Sequence, residues 1–192
     1  MKKLKFSLIG QMLLLAKSHL STGLVFMILF LFTVSMYGPA YNVIFGTCGF
    51  LGYFLTIYQS ANNAYLDDKK TISPLTPYAA KGFVLPLLLT AFSLVIVLLY
   101  KFAWAYGAVS EKAVEMWAVP LQILARLWTV PYHPFLGMDG GKLSLIGYII
   151  IFLTPFIASG LGYFAAYKGF DLNEKIHGIA YEKKNKSDKS EF

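Results

Sequence analysis

Four long apolar runs constrain this chain more than any other feature. They cover about residues 20–37, 40–58, 83–99 and 143–167, and none contains Asp, Glu, Lys, Arg or His. A helix rises about 1.5 Å per residue, so about 18 to 20 apolar residues cross the roughly 30 Å hydrocarbon layer of a bilayer. The sequence therefore predicts an all-α, polytopic membrane helix bundle with four spanning helices, in which residues 20–167 form the membrane domain.

The composition supports a chain that is solvated by lipid. Hydrophobic residues make up 57% of the 192 residues and charged residues only 14%, whereas a soluble domain carries about 25% charged residues. The formal net charge is +7, but the cations cluster at the ends of the apolar runs. We therefore expect a lipid bilayer with anionic headgroups as the partner of these cations, and no nucleic acid.

The N-terminal segment, residues 1–19, opens with several lysines and continues with a short apolar run, residues 6–16. Eleven apolar residues are too few to cross a bilayer. The pattern predicts a basic interfacial helix that precedes the first span and binds lipid phosphates. At the other end of the chain, residues 168–192 are rich in lysine, and we expect a disordered cytoplasmic tail.

The distribution of cations predicts the orientation. Thirteen of the 17 Lys and Arg residues lie in the N-terminal segment, the 59–82 loop and the tail. By the positive-inside rule, both termini of a four-span cell-membrane protein are then cytoplasmic. A six-span alternative, in which residues 6–16 and 113–130 also cross, stays open, although Glu115 and Arg126 would each cost about 2.5–3.5 kcal/mol near a helix centre.

The 59–82 loop contains the adjacent carboxylates Asp67 and Asp68, followed by Lys69 and Lys70. Neighbouring side chains point apart on a helix or a strand, and the two lysines neutralise the charge. We interpret this segment as a solvated turn rather than a cation site.

An amphipathic helix is predicted over residues 111–129, between the third and fourth spans. Its apolar face is centred on large side chains at helical spacing, and Pro120 is expected to bend it. Such a helix lies in the membrane plane or re-enters the bundle on the outer side. The residues assigned to it are Glu111, Glu115, Trp117, Gln122, Arg126 and Trp128.

Small residues at helical spacing predict close helix packing in two of the spans. In the last span the stripe consists of Thr154, Ala158, Gly162 and Ala166, and in the second it consists of Gly46, Gly49 and Gly52. Small side chains let helix backbones approach closely in a membrane. The two surfaces are expected to pack on each other, or one of them on another subunit.

Candidates for chemistry are few. The absence of ionisable side chains from the four runs argues against a proton-coupled pump that acts alone. No nucleophile elbow, paired-histidine helix, Walker loop or dinucleotide fingerprint is present, so we assign no catalytic residue, metal ligand or cofactor. On the outer side, His133 and Asp139 are the candidate polar pair, although a histidine between prolines is typical of a loop and an aspartate before two glycines is typical of a turn.

The run from Tyr65 to Gly82, which enters an apolar span through Lys81-Gly82, resembles segments of small bacterial multi-span membrane proteins of no named family. That resemblance implies a membrane protein and carries no catalytic residue. The chain length is also similar to that of the substrate-binding subunits of energy-coupling-factor vitamin transporters, which is a similarity of size alone.

Three functions follow as hypotheses. The first is a non-enzymatic subunit or accessory of a membrane transporter or envelope complex, in contact with another membrane protein subunit or a second copy of itself. The alternative is a small-molecule binding or carrier subunit, with a pocket beneath the 111–129 helix. The third is an outer-face enzyme that would need His133 to meet Asp139 or a glutamate.

Overall fold

The computed structural model describes residues 7–33, 39–70, 73, 75–107, 119–135 and 144–170. Within these residues the protein is helical and contains no strand, which confirms the all-α prediction. The elements in chain order are α1 (Leu8–Thr33), α2 (Pro39–Asp68), α3 (Lys81–Val84), α4 (Leu87–Gly107), α5 (Val119–Thr129), a 3-10 helix (Val130–Phe135) and α6 (Leu145–Tyr167).

Four helical segments of the described chain are long and apolar enough to cross a membrane. They are Leu8–Leu29, Val43–Asp68, Lys81–Phe102 and Leu145–Tyr167. The third combines α3 and α4, which are separated only by Leu85 and Pro86. The helical bundle with four helices suited to spanning a membrane is thereby confirmed.

The first helix differs from its predicted boundary, because α1 runs without a break from Leu8 to Thr33. No separate interfacial helix ends near residue 19, and residues 6–16 do not form a crossing of their own. The polar residues at the predicted junction are accommodated within the helix. The hydroxyl of Ser18 donates to the Leu14 carbonyl at 3.1 Å, and that of Thr22 donates to the Ser18 carbonyl at 2.8 Å.

The second helix extends about ten residues past the predicted end of its span, to Asp68. The interpretation of Asp67 and Asp68 as a solvated turn is wrong for Asp68, which is only 3% exposed. The physical reason is that α2 continues through both residues, so the two side chains point to different sides. Asp67 stays near the surface, while Asp68 faces the other helices.

The small-residue stripe of α6 lies against α2. All four members, Thr154, Ala158, Gly162 and Ala166, are buried. A Cβ added at Gly162 would come within 2.1 Å of the Tyr58 carbonyl oxygen, so glycine is required for this approach. The stripe is therefore filled by a helix of the same chain.

The glycines of α2 face a different neighbour. A Cβ on Gly49 or Gly52 would lie 3.3 or 3.1 Å from the ring of Phe26, which belongs to α1. Gly46 is half-buried on the same helix. The expectation that the two small-residue surfaces meet is thus wrong, because α2 presents its glycines to α1 and its Tyr58 backbone to α6.

The segment formed by α5 and the 3-10 helix packs at the level of the middle of the bundle. Trp128 contacts His19, near the centre of α1, and Ser93, near the centre of the Lys81–Phe102 segment. A Cβ added at Gly23 would lie 3.3 Å from the Leu127 carbonyl oxygen. The two placements predicted for this helix relative to a bilayer, flat or re-entrant, both stay predictions.

Candidate functional site

A polar groove runs along the surface between α1 and α2. Its volume is about 360 Å³, and it is half open to the surroundings. All of its lining residues belong to these two helices, so it opens on the outside of the bundle. We call it the α1–α2 groove; its lining residues are Gln11, Leu14, Lys17, Ser18, Ser21, Thr22, Thr56, Ser60, Asn63, Ala64 and Asp67.

Helical spacing explains why these polar side chains come together. On each helix the lining positions recur every three or four residues, which places them on one face. Eleven residues separate the first and last lining positions of each helix, so the groove is about 16 Å long, or half of a 30 Å hydrocarbon layer. The hydroxyl of Ser60 donates to that of Ser18 at 2.8 Å and connects the two walls.

Two charged residues line the groove, and their surroundings differ. Asp67 pairs with Lys70, one helical turn further along α2. Lys17 is exposed and forms no ion pair with any residue that the structure describes. Among the described residues, the groove therefore carries one positive charge without an ion-pair partner.

A buried carboxylate lies behind one end of the groove. Asp68 accepts hydrogen bonds from the Lys81 ammonium at 2.6 Å, the Tyr163 hydroxyl at 2.7 Å and the Gln11 amide at 2.7 Å. The side chains of Asp68 and Lys81 are 0% and 2% exposed. A buried charge is tolerated when it is paired and its remaining lone pairs are satisfied, as they are here.

Asp68 joins four elements at one end of the bundle. Its partners come from α1, α3 and α6, and Asp68 itself is the last residue of α2. Gln11 both bonds to this carboxylate and lines the α1–α2 groove, so the groove wall rests on the buried ion pair. Sequence reasoning missed this group because the three partners lie 13, 57 and 95 positions away from Asp68.

A second buried network surrounds His19, which is only 1% exposed. The His19 Nε2 atom lies 3.1 Å from the Trp128 carbonyl oxygen, and Nδ1 lies 3.0 Å from the Tyr53 hydroxyl. A carbonyl can only accept, so a neutral His19 ring carries its hydrogen on Nε2 and accepts at Nδ1 from Tyr53. Tyr53 must then accept from Tyr132, whose hydroxyl lies 2.7 Å away.

This network attaches α5 and the 3-10 helix to α1, α2 and α4. The indole of Trp128 donates to the Ser93 hydroxyl at 2.9 Å, and Tyr132 packs edge-on against Tyr53. The groups that bond are uncharged in this arrangement and satisfy one another. We therefore assign the network to positioning α5 and the 3-10 helix.

The remaining predicted site residues do not assemble into a reactive centre among the described residues. Gln122 is half-buried and Arg126 is exposed on α5, whereas Glu111, Glu115 and Trp117 lie outside the described residues. His133 belongs to the 3-10 helix, and Asp139 also lies outside. Within the described ranges, no three His, Cys, Asp or Glu side chains are grouped so that they could hold a metal ion.

Comparisons of the chain with protein-family models, with curated proteins and with solved structures found no match. A function for this chain therefore has to be argued from its own geometry.

Proposed function

We propose that this protein is a binding or carrier subunit of the membrane that takes the polar group of a small molecule into the α1–α2 groove. The groove carries the proposal because it is a polar cleft of about 360 Å³ between two helices that are suited to crossing a membrane. Sites for small molecules typically have volumes of about 300 to 1,000 Å³.

The chemistry of the lining favours a ligand. Hydroxyl and amide groups donate and accept hydrogen bonds, and polar groups at membrane depth commonly mark substrate or ion pathways. Two contacts hold the walls in place: the bond between Ser60 and Ser18, and the bond from Gln11 to the buried Asp68. A site whose walls are fixed before binding loses less entropy when its ligand arrives.

The surfaces that the sequence assigned to a partner subunit are used within the chain. The Thr154 to Ala166 stripe packs on α2, and Asp68 and Lys81 of the 59–82 segment are buried in the bundle. The groove is thus the feature that favours binding over an accessory role. Membership in a larger membrane complex stays a prediction, and we assign no surface of this protein to the contact with another subunit.

The proposal is tested by filling the groove. Ser60→Phe places a large ring between the two walls, whereas Leu55→Phe enlarges a side chain that is 55% exposed on the same helix. Both variants and the wild type are purified in mild detergent, and the molecules bound to each are identified by native mass spectrometry. We expect a bound molecule on the wild type and on Leu55→Phe that Ser60→Phe has lost.

Thermal unfolding of the three proteins shows whether Ser60→Phe remains folded. A folded Ser60→Phe variant that carries the same bound molecules as the wild type contradicts the proposal.

A further inference from the structure

Lys17 occupies an unusual position for a cation. It follows the first residue of α1 by nine positions, about 14 Å along the helix, and it lies inside the segment Leu8–Leu29 that is suited to crossing a membrane. Lysine within a membrane span is rare, and it is normally paired or placed in a polar cavity. Here the ammonium group lines the α1–α2 groove and has no ion-pair partner among the described residues.

The groove as a whole favours an anion. Asp67, its one carboxylate, is compensated by Lys70, which leaves the charge of Lys17. Around this charge lie hydroxyl groups and the Asn63 amide, which can donate hydrogen bonds to phosphate oxygens. A lysine ammonium surrounded by such donors is a common phosphate-binding arrangement.

The position of the groove favours a ligand that reaches it from the lipid. Only α1 and α2 line the groove, and it is open to the surroundings. Exposed leucines of α1 lie close in sequence to the lining residues, and their exposed fractions lie between 41% and 43%. A molecule with a polar head and apolar tails would place its head in the groove and its tails against these leucines, which are Leu13, Leu20 and Leu24.

We infer that the α1–α2 groove binds the phosphate-bearing headgroup of an anionic glycerophospholipid, and that Lys17 is the residue that contacts the phosphate. This inference rests on the proposed function and specifies its ligand class. The hydroxyl and amide groups of the lining would hydrogen-bond the polar substituent beyond the phosphate.

The experiment measures lipid binding to the full chain in a non-ionic detergent by native mass spectrometry. Phosphatidylglycerol and phosphatidylcholine with identical acyl chains are titrated separately, and inorganic phosphate is added as a competitor. We expect phosphatidylglycerol to bind more tightly than phosphatidylcholine, and millimolar phosphate to displace little of it because free phosphate lacks the tails.

The decisive variant is Lys17→Gln, which keeps a hydrogen-bonding side chain and removes the charge. It should weaken phosphatidylglycerol binding about fivefold to tenfold and weaken phosphatidylcholine binding less, because the choline cation already offsets the phosphate charge of that lipid. Lys101→Gln is the matched control, because Lys101 is an exposed lysine of α4 that does not line the groove. It should change neither affinity.

Three results overturn the inference: equal affinities for the two lipids, an unchanged affinity in Lys17→Gln, or full displacement by inorganic phosphate, which would indicate a water-soluble anion as the ligand. The Ser60→Phe variant separates this inference from the proposed function. If Ser60→Phe loses a bound molecule while the lipid class and Lys17 have no effect, the groove binds a different ligand and only the inference fails. If Ser60→Phe loses nothing, both fail.

Discussion

Removing the charge of Asp68 is the sharpest test of how the bundle is held together. In Asp68→Asn the side chain keeps its shape, but the buried ammonium of Lys81 loses its counter-charge. In the wild type, Gln11 donates to one carboxylate oxygen of Asp68, and Lys81 and Tyr163 donate to the other. The asparagine side chain has a single oxygen to accept these three hydrogen bonds.

The magnitude follows from burial. Breaking a buried ion pair by removing one partner costs about 3–5 kcal/mol, because the remaining charge is left unpaired in a medium of low dielectric constant. Both side chains of this pair are almost fully shielded, at 0% and 2% exposure. We therefore expect Asp68→Asn to lower the free energy of unfolding by about 3–5 kcal/mol. The loss is measured by titration with sodium dodecyl sulfate.

Two companion variants make the measurement specific. Lys70→Met breaks the pair with Asp67, in which the lysine side chain is 54% exposed, and exposed pairs contribute only about 0–1 kcal/mol. The double variant Asp68→Leu/Lys81→Met removes both buried charges and should be less destabilised than Asp68→Asn. The free energy of unfolding of Lys70→Met should lie within about 1 kcal/mol of the wild-type value. If that of Asp68→Asn does so too, the buried ion pair does not hold the bundle together.

Two further predictions concern packing and orientation. Gly162→Ala forces α6 away from the Tyr58 carbonyl and should cost about 1–3 kcal/mol of unfolding free energy; Gly49→Ala, which meets only a ring at 3.3 Å, should cost less, and equal losses would contradict the described packing. In a cysteine-free background, Ser110→Cys should react with a membrane-impermeant maleimide from outside intact cells and Ser73→Cys should not. The reverse pattern would overturn the predicted orientation.

The sequence was most informative where structure depends on local composition. Apolar runs near 20 residues predict spanning helices because each backbone polar group must be satisfied within its own segment in lipid. The same reasoning predicted spans that are shorter than the helices α1 and α2. His19 and Asp68 fall in segments suited to crossing because contacts with other helices accept polar groups that the runs alone excluded, and Lys17 falls in such a segment where it lines the α1–α2 groove.

Asp67 and Asp68 show what a local pattern cannot distinguish. They are identical in type and adjacent in sequence. Asp67 lines a surface groove, whereas Asp68 is buried and accepts hydrogen bonds from three other elements. The difference depends on which side of α2 meets the other helices. That side is chosen by the contacts of Gly162 with Tyr58 and of Gly49 with Phe26, residues far apart in the chain.

The sequence by itself determined the helical class, the number of helices suited to spanning, and the small-residue stripe that allows one of them to pack closely. These features arise from hydrophobicity and spacing along one helix. The tertiary structure alone decided that α1 and α2 turn their hydroxyl-bearing faces toward each other, that Lys17 points into the groove between them, and that Lys81 reaches Asp68. The physical reason is that the rotation of one helix against another is fixed by packing over the whole bundle, and each of these sites needs side chains from at least two helices.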